Sequence, residues 1–128
     1  MTQEEKDLLL KDLCARLPYE VKGNYQNSDD ELLRKVTIMY RYLEPGGMIM
    51  TGDIKPYLYP MSSMTEEQKK EYDSILYHNV ALHADRYYSV IEIDCFEELQ
   101  DFYHKNHFDY RGLIPMGLAK DATGLNIY

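Results

Sequence analysis

Apolar and polar positions along the chain follow two periods, and the switch between them marks the elements. From about Gln3 to Arg16 the spacing is helical. Leu9, Leu13 and Leu17 share one stripe, with Leu10 and Cys14 beside it. Thr2 and Glu5 have the spacing at which each side chain satisfies a backbone donor of the first turn. Glu4 and Glu5 lie at the positive end of the helix dipole, Lys11 and Arg16 toward the negative end. Pro18 stops the helix, because the residue before a proline avoids the helical region.

Between Tyr19 and Tyr25 the period becomes two. Tyr19, Val21, Gly23 and Tyr25 face one way, Glu20, Lys22 and Asn24 the other, as in a half-buried strand. Leu33 to Leu43 is the strongest strand signal, with Val36, Ile38, Tyr40 and Tyr42 on one face. Glu44-Pro45-Gly46-Gly47 predicts a turn, and Met48 to Thr51 is expected to pair back as a hairpin partner. Lys55 to Pro60 reads as extended but not as a central strand, since Pro56 and Pro60 lack the donor.

Thr65 and Gln68 repeat the capping-box spacing and open a helix to about Ala84. Its buried stripe is Tyr72, Ile75, Leu76, Asn79 and Val80, and Glu66 and Lys70 form a surface pair. Tyr87 to Ile93 reads as a strand by its β-branched and aromatic content. Asp94 with Glu97 starts a third helix, from about Cys95 to Asn106, marked by Phe96, Leu99, Phe102 and Tyr103. Phe108 to Ala119 has no clear period and reads as chain packed on the core. The order of elements predicts an α+β fold, a single domain over residues 1–128. It would pack an antiparallel sheet of three to four strands with about three helices.

Composition narrows the function classes. The chain has 128 residues and a net charge of −8, which argues against binding a phosphate backbone. No apolar run approaches the roughly 20 residues that span a bilayer. The first residues lack the basic start and apolar stretch of a secretory signal, so a cytoplasmic location is expected. Cys14 and Cys95 fall at apolar helical positions and are expected as thiols in a reducing compartment.

Of the side chains that carry chemistry, Asp101, His104, His107 and Asp109 are the best candidate cluster. Residues three apart share a helix face, and imidazole with carboxylate suits a divalent transition metal or acid–base work. The plainer reading is that His104, Lys105 and His107 serve a helix C-terminus, where cations and donors are favoured. There is no Gly-x-Ser-x-Gly elbow, no Gly-rich phosphate loop and no Cys-x-x-Cys, so no catalytic residue and no cofactor is assigned. Glu92, Asp94, Glu97, Glu98 and Asp101 run without an intervening base. They read as a solvated helix start, or as a patch for a basic partner.

Tyrosine is abundant at 13 residues, with no tryptophan. Tyr40, Tyr42, Tyr57 and Tyr59 fall on extended segments, where sheet packing explains them. A ring with a polar tip also favours interfaces. The interaction candidates are therefore Tyr40, Tyr42, Tyr57, Tyr59, Glu97 and Glu98.

Met1 to Tyr19, Lys55 to Gln68 and Asn106 to Ala119 resemble segments of a family of small uncharacterised proteins. That family is associated with gut Bacteroidales bacteria and their phages or mobile elements. The resemblance implies an intracellular accessory protein and transfers no catalytic residue, ligand or mechanism. The leading expectation is a non-catalytic cytosolic protein that binds another protein or a second copy of itself. A small metal-dependent or acid–base enzyme using Asp101, His104 and His107 is one alternative. An acidic inhibitor of a nucleic-acid enzyme is the other.

Overall fold

A computed structural model describes residues 1–26, 34–82 and 96–128, with 77–82 and 96 by backbone alone. Helix α1 spans Gln3–Arg16, the range its capping and proline signals predict. Thr2 Oγ1 accepts from the Glu5 N–H at 3.1 Å, and the Thr2 N–H donates to Glu5 Oε1 at 2.9 Å. A 3-10 turn over Leu17–Tyr19 carries Pro18 and ends the element. Its inner face differs from the expected leucine stripe. Leu9 and Leu13 are buried, but so are Asp12 and Arg16, while Leu10 and Cys14 are exposed.

The sheet contains β1 (Lys22–Tyr25), β2 (Val36–Thr37), β3 (Ile54–Pro60), β4 (Phe108–Asp109) and β5 (Lys120–Asp121). β1 pairs antiparallel with β2 and β3, whereas β4 and β5 each pair parallel with β3. The sheet is therefore mixed, which corrects the expected antiparallel one. Between β3 and β4 the chain passes through helices, and a crossover of that kind can return a strand parallel.

β3 also pairs with three of the other strands, β1, β4 and β5, against the expectation drawn from its prolines. Parity along the strand explains this. Successive residues of an extended chain point their polar groups to alternate edges. Asp53 C=O accepts from Gln26 and the Tyr59 N–H donates to His107 C=O, both from odd positions. Leu58, an even position, accepts from Ala122 through its carbonyl. Pro56 and Pro60 share the even parity, so their missing donors fall on the edge that Leu58 turns to β5, not on the edge that bonds β1 and β4.

Of the expected Leu33 to Leu43 strand, the described residues 34–43 are mostly not strand. Val36–Thr37 pairs, the Ile38 N–H adds one bond to Val21 C=O, and the chain then coils into a 3-10 turn over Tyr40–Leu43. The expected Met48 to Thr51 hairpin partner is a run of turns instead. The Gly47 N–H donates to Glu44 C=O, Thr51 to Gly47 and Gly52 to Ile49. Gly47 permits this, since a Cβ there would lie 2.6 Å from Tyr42 O. The fold-over sends Ile49 and Met50 into the core.

Helix α2 spans Glu66–Leu82 and α3 spans Phe96–Lys105. The Thr65–Gln68 capping box forms, with the Thr65 N–H donating to Gln68 Oε1 at 2.8 Å and the Gln68 N–H to Thr65 Oγ1 at 3.1 Å. Glu66 meets Lys69 at 3.6 Å, one residue short of the expected Lys70. Tyr72, Ile75 and Leu76 are half-buried as expected of the stripe. The expected side-chain positions of Asn79 and Val80, the strand over Tyr87 to Ile93 and the Asp94 cap lie outside the described residues. The main core joins Leu9 and Leu13 of α1 to Val21, Ile54, Leu58 and Leu113. In a second, aromatic layer, Phe102 of α3 tilts against Tyr72 and Phe108, at 6.0 and 5.8 Å. Each of Phe102 and Phe108 is about 1% exposed, and burying such a ring contributes roughly 2–3 kcal/mol. No described helix is long and apolar enough to cross a membrane.

Candidate functional site

The end of α3 and the residues after it place the four candidate side chains in four different settings. His104 is buried, its Nε2 lying 3.0 Å from the Tyr110 hydroxyl and its ring tilted against Tyr19. Burial lowers its pKa, helped by the positive charge of Arg16. Asp101 is exposed and accepts from the Tyr19 hydroxyl at 3.4 Å. Asp109 is buried, and its two oxygens accept from the Leu113 and Ile114 N–H groups at 2.8 and 2.9 Å. That carboxylate clamps the turn after β4. His107 stacks on Tyr128 with ring centroids 3.5 Å apart and planes 10° apart. Among the described residues, no group of three or more His, Cys, Asp or Glu side chains is placed to hold a metal ion.

Between α1 and β4 lies an ion-pair network that the sequence reading missed. Asp12 and Arg16, four apart on α1, pair at 2.7 Å, and both side chains are fully buried. Arg111 reaches the other Asp12 oxygen at 3.1 Å. Arg16 Nη2 donates to Phe108 C=O at 2.6 Å, which joins residues 92 apart in sequence. The Arg16 and Arg111 guanidinium groups lie 5.3 and 5.0 Å from the Tyr110 ring centroid, one cation–π pair each. A signal was present in the spacing. Positions 9, 12, 13 and 16 follow the i, i+3, i+4, i+7 pattern, which places the acid and the base inside the apolar stripe.

A cleft of about 450 Å³ opens where α2, α3 and the segment after β5 meet. Tyr59, Gln68, Asn106, His107, Thr123 and Tyr128 are among its lining residues. Burial, followed by the Arg16 charge, pushes the His107 imidazole down to about 4, so it is neutral at pH 7. Tyr128 accepts from the Lys22 N–H at 2.8 Å and donates to Tyr57 C=O at 2.9 Å. Burial of that hydroxyl raises its pKa. A neutral imidazole and a protonated phenol suit hydrogen bonding and stacking better than proton transfer near pH 7.

The interaction candidates separate in the same way. Tyr40 is 68% exposed on its 3-10 turn, next to exposed Met39 and Arg41. Tyr42 is half-buried against the core, with the Arg41 guanidinium over its ring at 5.2 Å. Tyr57 is buried, its hydroxyl accepting from Asn24 at 2.8 Å, which removes it from any exposed aromatic face. Tyr59 is half-buried and tilts against Tyr128 at 6.0 Å. Glu97 and Glu98 are exposed in the first turn of α3. Comparison with protein-family models, curated proteins and solved structures finds no match.

Proposed function

We propose that this chain is a non-catalytic cytoplasmic protein that binds another protein through the Met39–Tyr40–Arg41 turn. The observation that carries this reading is the 68% exposure of Tyr40 at the start of a 3-10 turn, with exposed methionine and arginine on either side. Tyr, Met and Arg are enriched at interface centres, and Tyr and Arg among the residues that dominate binding energy. The net charge of −8 favours a partner of net positive charge, which would be steered to this chain. An apolar hollow on such a partner is the expected seat for the Tyr40 ring. The alternative metal-dependent or acid–base reading has less support, because Asp101 accepts from Tyr19, His104 Nε2 meets Tyr110 and His107 stacks on Tyr128, and no described group of three His, Cys, Asp or Glu side chains could hold a metal ion. The resemblance to proteins of gut Bacteroidales and their mobile elements points to an accessory role there.

The test is affinity capture from native cells with the unaltered chain and with Tyr40→Ser. Tyr40 is so exposed that the substitution should change stability by less than about 0.5 kcal/mol. A partner retained by the unaltered chain, lost with Tyr40→Ser and weakened by added salt is the expected result. Equal capture by both chains would sink the reading. So would scattering-coupled chromatography showing self-association indifferent to Tyr40.

A further inference from the structure

The cleft beside Tyr128 has three features that packing alone does not account for. The first is backbone strain. His107 adopts φ +60 just past the end of α3, a place usually filled by glycine or asparagine. A non-glycine residue held in that region often marks a functional side chain. Here the ring lies flat beneath Tyr128. The second is His107 Nδ1, which is buried and has no hydrogen-bond partner among the described residues, on a side chain only 8% exposed. The third is Tyr128 itself. Its hydroxyl is pinned between β1 and β3, which fixes the ring, yet 39% of the residue stays exposed. With one face against His107 and its edge near Tyr59, the held ring forms part of the cleft wall.

The charge and polarity of the lining narrow what such a wall would receive. Among the described lining residues, Lys105 carries the one side-chain charge at pH 7, and its ammonium is held by the Glu71 carboxylate. An anion would require an unpaired cation, and a long apolar chain would require an apolar wall. The rim instead carries two amides and three hydroxyls. Gln68 Nε2 donates to Asn106 Oδ1 at 3.3 Å, and Asn106 Nδ2 to Phe102 C=O at 2.9 Å, so both amides are held in orientation. Ser63, Thr65 and Thr123 supply the hydroxyls. A ligand that fits has a flat C–H face for the negative π surface and a periphery of hydroxyl groups. The volume lies in the range of sites that take small molecules.

We propose that this cleft binds a small neutral saccharide, its ring lying on Tyr128 and its hydroxyls reaching Gln68, Asn106 and Thr123. The site does not involve Tyr40, so it stands or falls independently of the protein-binding turn.

The probes are neutral monosaccharides and disaccharides of glucose, galactose, mannose and N-acetylglucosamine, with inorganic phosphate as the anionic control. Saturation-transfer NMR reports which ring protons touch the protein, and amide shifts report where. The expected result is transfer to the C–H face of at least one saccharide, with shifts at Asn106, His107 and Thr123, and no effect of phosphate. Two variants separate loss of the site from loss of the fold. His107→Gly relieves the backbone strain while removing the ring beneath Tyr128, and Thr123→Arg obstructs the rim from an exposed position. Each should keep the native amide spectrum elsewhere and weaken the saccharide by about tenfold or more. Absence of transfer from every probe, binding by both variants as tight as by the unaltered chain, or occupation by phosphate in preference to sugar would overturn the proposal.

Discussion

A carboxylate with no exposed surface holds two guanidinium groups on the inner face of α1, and this is where single residues matter most. Asp12→Ala would leave the Arg16 charge buried without its partner, in a setting where Arg16 Nη1 already has none among the described residues. The expected cost is about 3 kcal/mol, read as a lower urea midpoint at unchanged slope. Replacing both members, as Asp12→Leu with Arg16→Met, should be milder than Asp12→Ala, since an apolar pair needs no desolvation. His107 provides a second prediction. Its imidazole titrates at about 4 in the fold against an ordinary 6.5. Between those values the unfolded chain binds more protons, so stability falls as pH drops through that window. From pH 7 to pH 5 the loss should be about 2 kcal/mol. His104, also shifted down, acts with the same sign. Urea titrations of His107→Asn, which tolerates the same backbone, should show a visibly flatter pH dependence.

At the scale of elements, the turn-rich stretch between β2 and β3 depends on one close approach. Gly47→Ala would set a methyl 2.6 Å from Tyr42 O and 2.9 Å from Arg41 O, both backbone atoms that cannot swing aside. About 2 kcal/mol of destabilisation is expected in a thermal melt, with Gly46→Ala the informative contrast, since a Cβ there meets only open space and pays solely for its positive φ. This stretch also shows where sequence reading stopped. Helix ends were legible because Thr2–Glu5, Thr65–Gln68 and Pro18 act locally, and local rules survive folding. Strands were less so. Val36 to Tyr42 alternates as a strand should, but pairing depends on a neighbour arriving, and the ladder with β1 ends at Thr37 but for one bond from the Ile38 N–H to Val21 C=O. Pro56 and Pro60 argued against a central strand because parity cannot be known before the partners are placed. The candidate site was half legible. The histidines at the end of α3 stood out, yet their separate tyrosine partners are set by tertiary geometry.

For the whole molecule, the interlocked layers predict one cooperative unfolding transition. Helical circular dichroism and tyrosine emission, undisturbed by tryptophan in this chain, should follow superimposable urea curves. Two separated midpoints would mean that the aromatic layer around Phe102 melts apart from the core around Leu13. The fold also bears on how the chain is made. The carbonyl that receives Arg16 belongs to Phe108, which is synthesised 92 residues later. Until that carbonyl leaves the ribosome, the first helix carries a cation on its inward side with its final anchor still missing. The nascent protein must therefore hold this helix in waiting, solvated or sheltered, until that distant contact can close.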